Sequence, residues 1–129
     1  MEKKSFTLIE LMMVVVVAAI LVAAATPFYF KALDRASERE AVSQIRLIQG
    51  AERMLMLDQG GFATCANTAA CNLALDLDLP TANPDWDFAV IGDAAAISIS
   101  ASRIGGTCVY GVNTVLAEPV ITGGTCVGL

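Results

Sequence analysis

The chain has 129 residues, a formal net charge of −5 and a positive mean hydropathy, which suits one small domain joined to a long apolar segment. It contains no histidine, so the usual general base and commonest metal ligand is missing and catalysis is not expected. The excess of acidic residues leaves no basic patch, which argues against nucleic-acid binding. We therefore expect a protein that is not an enzyme and carries no cofactor.

The N-terminal segment joins a short basic leader to a long apolar run. Lys3 and Lys4 precede the stretch from Phe6 to Phe30, in which Glu10 is the one charged residue. As a helix this stretch spans roughly 37 Å, which is enough to cross a bilayer. The lysines predict that the leader stays in the cytoplasm and that the remainder lies outside. A carboxylate at the end of a membrane helix is costly unless it finds a partner.

Within this segment, Ser5-Phe6-Thr7-Leu8-Ile9-Glu10-Leu11 resembles the processing site of type IV pilins and of the pseudopilins of type II secretion. The shared features are a basic leader, cleavage before Phe6, the run that ends in Glu10, and an apolar helix with a later proline, here Pro27. Ser5 stands where the family usually has glycine. The resemblance covers the N-terminal quarter of the chain. It implies that a prepilin peptidase removes residues 1–5 and methylates the new amine of Phe6.

Two other interpretations of this segment remain open. A secretory signal peptide has a shorter apolar stretch followed by a cleavage site of small residues, and Ala23-Ala24-Ala25 could supply such a site. Ordinary signal peptides, however, do not place a carboxylate such as Glu10 inside the apolar run. The segment could also be a plain membrane anchor that forms no polymer.

A single helix is predicted from Phe6 to about Asp58, with a kink or local melting at Pro27, and Gly60-Gly61 is expected to end it. Beyond Phe30, apolar residues recur at three- and four-residue spacing on one face, which predicts packing on the rest of the domain. This face comprises Val42, Ile45, Ile48, Ala51 and Leu55. The charged residues of the same stretch, which include Glu38 and Glu52, are predicted to form a solvated face or to contact neighbouring subunits.

The four cysteines lie in the second half of the chain, on the translocated side, where disulfides persist. Four cysteines allow three pairings. The pairs Cys65–Cys71 and Cys108–Cys126 need the least chain closure and are our prediction, while the other two pairings remain possible. No CxxC spacing is present, so a zinc or redox site is not predicted.

The remainder reads as a loop followed by a small antiparallel sheet. Turn signals at Gly92-Asp93 and Gly105-Gly106 separate strand-like runs, predicted at residues 86–91, 95–101, 107–112 and 125–127. Such a sheet needs the helix face to cover its apolar side.

The predicted fold is therefore α+β and pilin-like, with a long N-terminal helix, half membrane-spanning and half amphipathic, packed on the sheet. The expected organisation is a leader (1–5), a hydrophobic helix (6–30) and a globular head (31–129), the head comprising the amphipathic helix (31–58), a loop (59–85) and the sheet with its C-terminal disulfide region (86–129).

The predicted head is acidic, since the sequence from Gln59 onward contains six acidic residues and one basic residue, Arg103. A calcium site built from loop carboxylates is conceivable and occurs in secretion pseudopilins, but the spacing matches no recognised ligand loop, so no metal is predicted. The acids are instead expected to keep exposed heads soluble and mutually repelling. Five of them are Asp76, Asp78, Asp85, Asp87 and Asp93.

The resemblance implies a structural subunit of a type IV pilus-like filament. The precursor would lie in the bacterial inner membrane and polymerise, once processed, into an extracellular homopolymer in which the Phe6 amine pairs with Glu10. The family implies an assembly ATPase and a platform protein as partners. It also implies adhesion and motility as functions. The alternatives are a pseudopilin of type II secretion, a minor pilin, or a monomeric membrane-anchored binding module.

Overall fold

The computed structural model describes residues 7–82 and 84–128, and the chain divides into two compact units, Met1–Asp34 and Arg35–Leu129. The elements in chain order are α1 (Leu8–Gln59), α2 (Thr68–Leu75), β1 (Trp86–Gly92), β2 (Ile97–Arg103), β3 (Val109–Val112) and β4 (Val120–Gly123). The predicted α+β, pilin-like fold is confirmed, because a long N-terminal helix packs on a four-stranded antiparallel sheet.

The first unit consists of the apolar part of α1. Every residue from Thr7 to Leu33 is exposed, so this stretch buries nothing within the described chain. The helix continues through Pro27 without interruption. The local melting considered at this position therefore does not occur in the structure, while the kink stays a prediction.

In the second unit the sheet has the order β1-β2-β3-β4, and each neighbouring pair is antiparallel. Alternation in the sequence explains its two faces, because successive strand residues point to opposite sides. In β2 the residues Ile97, Ile99 and Ala101 are buried, and the serines between them point away from the core. The register places Ala101 between Phe88 of β1 and Tyr110 of β3, so these three side chains share the inner face.

The core forms where α1 covers this inner face. Four apolar α1 residues are buried there, namely Ala41, Val42, Ile45 and Ile48, whereas the predicted core positions Ala51 and Leu55 are only half-buried. The sheet contributes a set of buried side chains, which are Trp86, Phe88, Val90, Ile97, Ile99, Ala101, Tyr110 and Val112. Burial of this apolar area is the main stabilising term of the second unit.

Two predicted elements were wrong. Residues 68–75 form α2 and not a loop, because Asn67 caps the helix by accepting the Ala70 N–H at 2.9 Å, and Asp76 ends it in a left-handed conformation with φ 52°. The last strand is β4 (Val120–Gly123), while residues 125–127 are irregular. Gly124 separates the two, since at φ +74° an added Cβ would collide with the carbonyl of Thr107.

Candidate functional site

The first turn of α1 brings Glu10 back to Thr7. The Thr7 N–H and hydroxyl donate to Glu10 Oε2 at 3.5 and 3.3 Å, and the Thr7 carbonyl accepts the Glu10 N–H at 3.1 Å. Thr7 and Glu10 thus take the N-cap and third positions of the helix, where the Glu10 side chain supplies one half of a capping box and its charge lies at the positive end of the helix dipole. Both residues are exposed, so the Glu10 carboxylate is accessible to a further cation.

The predicted processing residues Ser5 and Phe6 lie outside the described residues. Cleavage between them, and the pairing of the Phe6 amine with Glu10, therefore stay predictions. The described part adds one constraint, because the capping bonds come from Thr7. Cleavage before Phe6 would keep Thr7, and with it the cap that orients Glu10.

Helix α1 is the one candidate membrane span among the described residues. An 18-residue window of this helix has a mean hydropathy of 2.8 and is not buried at all. Large apolar side chains stay exposed along it, as in Ile20 (63 %) and Phe28 (76 %). The N-terminal part of α1 is thus compatible with anchoring a precursor in a membrane.

The four cysteines form two disulfides, Cys65–Cys71 and Cys108–Cys126, with Cα atoms 5.0 and 4.9 Å apart. The first ties the segment before α2 to α2 itself. The Cys65 backbone also exchanges hydrogen bonds of 2.9 and 2.8 Å with Val90, which fixes this segment on β1. The second joins the residue before β3 to the irregular segment after β4.

Glu38 is completely buried, so its predicted place on a solvated or intersubunit face was wrong. Its Oε2 accepts the Tyr110 hydroxyl at 3.0 Å and the Gly128 N–H at 2.9 Å, and its Oε1 accepts the Val127 N–H at 2.6 Å. A buried carboxylate with three donors is well satisfied. Glu38 therefore connects α1 with β3 and with the segment that follows Cys126.

The cluster formed by Glu38, Tyr110, Cys108 and Cys126 has a structural role. Burial, followed by the hydrogen bond and charge of Glu38, raises the pKa of Tyr110 to about 12, so the phenol stays protonated and donates. Glu38, Cys108 and Cys126 bring possible ligand atoms within 4.8 Å of one another. Because both sulfurs belong to the disulfide, they cannot act as thiolate ligands, and the cluster does not suit a metal ion.

Glu52 is the second buried carboxyl group, and its predicted exposure was also wrong. Its Oε2 accepts the Ala63 N–H at 2.9 Å and holds the turn that follows α1. Its Oε1 is buried and has no hydrogen-bond partner within the described part of the chain. Burial raises the pKa of Glu52, and the bond from Ala63 only partly opposes this effect.

The sequence carried a signal for both buried acids. Glu38, Ile45 and Glu52 are spaced by seven residues, which is about two helical turns, so they lie on one face of α1. Ile45 belongs to the predicted apolar face, and its neighbours at this spacing had to be buried with it. The prediction placed the two glutamates on the surface because they are charged, although their position on the helix indicates burial.

Three of the predicted surface aspartates accept hydrogen bonds within the second unit. Asp87 Oδ1 accepts the Thr68 N–H and hydroxyl at 2.9 and 2.7 Å, and Asp85 Oδ2 accepts the Ser37 hydroxyl at 3.0 Å. Asp93 Oδ1 accepts the N–H groups two and three residues further on, both at 2.7 Å, and these bonds lower the pKa of Asp93. Each of these carboxylates thus fixes a turn, a helix start or a contact with α1.

A comparison with known protein families supports the interpretation of the N-terminal segment. Residues 1–26 match the family model of the prokaryotic N-terminal methylation motif, the prepilin signature. No curated protein and no solved structure matches the chain. The motif implies processing at the N-terminus, and the exposed apolar helix that follows it is compatible with membrane anchoring. This motif is the signature of type IV pilins and pseudopilins, which are structural proteins.

Proposed function

We propose that this chain is the structural subunit of a type IV pilus-like extracellular filament and that it polymerises through its apolar N-terminal helix. One observation carries the proposal: a prepilin motif at residues 1–26 continues into a helix whose apolar side chains, from Leu8 to Phe30, are all exposed. An apolar surface of this extent requires lipid or other apolar helices around it. The inner membrane supplies the lipid before assembly, and neighbouring subunits replace it in the filament.

The proposed assembly step joins Glu10 to a new amine. The prepilin peptidase removes residues 1–5 and methylates the amine of Phe6, which remains a cation. Thr7 holds the Glu10 carboxylate at the start of α1, where the amine of an adjoining subunit can reach it. Among apolar helices the pairing is strong, and an unpaired partner is costly, so the pair sets the axial register.

The remaining partners follow from the family. An assembly ATPase and a platform protein would extract the subunit from the inner membrane, and the polymer would be a homopolymer with the second units on its surface. The head has few basic residues, so nucleic acid is not an expected partner.

The test is to purify surface filaments from cells that produce this chain and to determine the N-terminus of the subunit by mass spectrometry. The expected subunit begins at methylated Phe6. An intact Met1, or a cut after Ala25, would contradict the proposed processing. Surface filaments that lack this chain, with the chain confined to an envelope complex, would support the pseudopilin alternative.

A matched pair of variants sharpens the processing test. Ser5→Gly restores the residue that is usual before the cleavage site and should give the same mature N-terminus with equal or higher yield. Ser5→Leu places a bulky side chain there, and the uncleaved precursor should accumulate in the membrane. Equal processing of both variants would mean that the residue at position 5 does not contact the peptidase.

A further inference from the structure

An apolar groove lies beside the C-terminal part of α1 and the end of α2, within the second unit. Its volume is ≈ 830 Å³, and its apolar lining is Leu47, Met54, Leu55, Leu75 and Leu77. Leu47 is 57 % exposed and Met54 is 74 % exposed. Large apolar side chains that stay exposed together in a groove are typical of an interaction site.

The charged residues that line this groove leave it with a negative rim. They are Arg46, Asp58 and Asp76. Arg46 is neutralised by an ion pair with Glu118 at 2.6 Å. The carboxylates of Asp58 and Asp76 are exposed, and neither has a hydrogen-bond or ion-pair partner within the described part of the chain.

The complementary charges are on another surface of the same unit. Arg35 and Arg39 lie one helical turn apart on α1, are both exposed, and have no partner within residues 7–82 and 84–128. With 3.6 residues per turn, Asp58 lies roughly 140° around the helix axis from Arg35 and about 35 Å further along it. A single chain therefore cannot bring these arginines to Asp58 at the rim of its own groove.

We propose that this groove receives the Arg35–Arg39 surface of a second copy of the chain, a contact that rests on the proposed filament and specifies it. The aliphatic parts of the arginine side chains suit the leucine and methionine lining, and their guanidinium groups suit the two carboxylates of the rim. Because the two surfaces differ, the contact is heterologous. Such contacts repeat from subunit to subunit and generate an open polymer when the rotation between copies does not close a ring.

Charge complementarity is what selects a second copy as the occupant. An anionic lipid surface or a nucleic acid would be repelled by Asp58 and Asp76. The chain itself supplies an exposed cationic surface whose two arginines have no partner among the residues that the structure describes. Filament formation would thus pair two sets of charges that are unpaired within this part of the chain.

The test reverses each surface separately. In Arg35→Glu/Arg39→Glu the cationic surface becomes acidic, and in Asp58→Lys/Asp76→Asn the rim becomes basic. Asparagine is chosen at position 76 because it tolerates the left-handed backbone there. Each variant alone should form at least about tenfold fewer filaments than wild type, since like charges then face each other. Cells that produce both variants together should recover filaments to within about threefold of wild type, because each reversed surface meets the other's.

The matched control is Arg35→Lys/Arg39→Lys, which keeps both charges and should assemble within about twofold of wild type. The lysine variant also allows the contact to be located by chemical cross-linking, without use of the charge-reversed variants. A carbodiimide joins an amine to a carboxylate in contact, so peptide mapping of treated filaments should recover position 35 or 39 linked to Asp58 or Asp76. For Asp58 the separation along α1 rules out such a link within one chain, so a link to Asp58 identifies a contact between two copies.

The outcomes separate this contact from the proposed function. If wild-type cells form no filaments of this chain, the proposed function fails and the contact fails with it. If wild-type filaments form and the reversed variants assemble normally, the contact is wrong and the function stands. Loss of filaments without recovery on co-production, or absence of the cross-link, would also overturn the contact. Equal amounts of disulfide-bonded, membrane-bound subunit in all strains would show that the reversed variants fold.

Discussion

Residues 7–33 and the second unit, residues 35–129, distribute polar and apolar groups in opposite ways. In the first stretch even the largest apolar side chains are exposed, whereas in the second unit the carboxyl groups of Glu38 and Glu52 are completely buried. The second unit therefore forms its own core and holds the Glu38 carboxylate in hydrogen bonds, while the apolar side chains of the first stretch need lipid or other apolar helices around them. Changes in the first stretch should alter assembly and leave the stability of the second unit intact, whereas changes in the core of the second unit should lower its stability.

The largest expected effect is the loss of filaments in Glu10→Gln, with the second unit still folded and the helix still inserted. Glutamine can keep the capping bonds to Thr7, because it is accepted at this position of a capping box. A neutral amide is also cheaper in lipid than a carboxylate, so insertion does not need the charge. What the variant removes is the attraction to the Phe6 amine of an adjoining subunit. Filament yield and membrane-bound subunit should be counted for each strain.

Glu10→Asp is the matched control for this prediction. It keeps the charge and shortens the reach, so its filament yield should lie between those of wild type and Glu10→Gln. Normal filament yield from Glu10→Gln would mean that the proposed pairing has no role, and the assembly step would have to be abandoned.

Within the second unit, Glu38→Ala should have the largest effect on stability. The change leaves the Tyr110 hydroxyl and the N–H groups of Val127 and Gly128 without their acceptor, and we expect the free energy of unfolding to fall by about 3 kcal/mol. Fluorescence of the buried Trp86 during chemical denaturation of the full chain in detergent measures this value. The exposed neighbour provides the control, since Glu40→Ala should change it by less than about 0.5 kcal/mol. Equal effects of the two changes would contradict the role of Glu38.

The two disulfides should contribute unequally to the stability of the second unit. In the chain-entropy model the 18-residue separation of Cys108–Cys126 is worth about 3 kcal/mol, and the 6-residue separation of Cys65–Cys71 is worth about 2 kcal/mol. Replacing each pair by serine and repeating the denaturation measurement tests this order. Non-reducing peptide mapping of the wild type should recover both pairs. A peptide that links Cys65 to Cys108 or Cys126 would refute the pairing.

The smallest expected effect is a pH dependence that originates at Glu52. Burial raises the pKa of Glu52 in the folded state, so its contribution to stability is present below its ordinary pKa of 4.5 and is lost as the pH rises through the folded-state value. Each unit of such a shift corresponds to about 1.4 kcal/mol. Glu52→Gln stays neutral, so its stability relative to wild type should increase as the pH rises above 4.5. The exposed Glu40→Gln should show no such trend, and a flat difference for Glu52→Gln would disprove the assignment.

Much of the fold could be predicted because periodic burial leaves a direct pattern in the sequence. Ile97, Ile99 and Ala101 alternate with serines, and Val42, Ile45 and Ile48 recur at helical spacing, so β2 and the packed face of α1 were predictable. Helix α2 was missed because its eight residues are too few to show a period, although Asn67 was a cap signal. Strand β4 was missed because its first three residues are all exposed and give no alternation.

The roles of Glu10 and Glu38 could be predicted from the sequence to different extents. The N-terminal motif is a local pattern of ordered residues, so Glu10 could be singled out from sequence alone. The position of Glu38 on the helix indicated burial, but its hydrogen-bond partners could not be predicted, because the three donors come from Tyr110, Val127 and Gly128, which are at least 72 residues away along the chain. No local pattern shows which distant donors converge on a buried carboxylate.

The bonds from Val127 and Gly128 to Glu38 also bear on how the chain is made. Glu38 precedes its backbone donors by 89 and 90 residues, so during synthesis its carboxylate emerges long before they do. The helix cannot settle onto the sheet with that charge unsatisfied, and contacts of such long range form slowly. Completion of the second unit is therefore tied to delivery of residues 127 and 128. A chain interrupted before them is expected to keep the Glu38 face of the helix exposed and accessible to proteases.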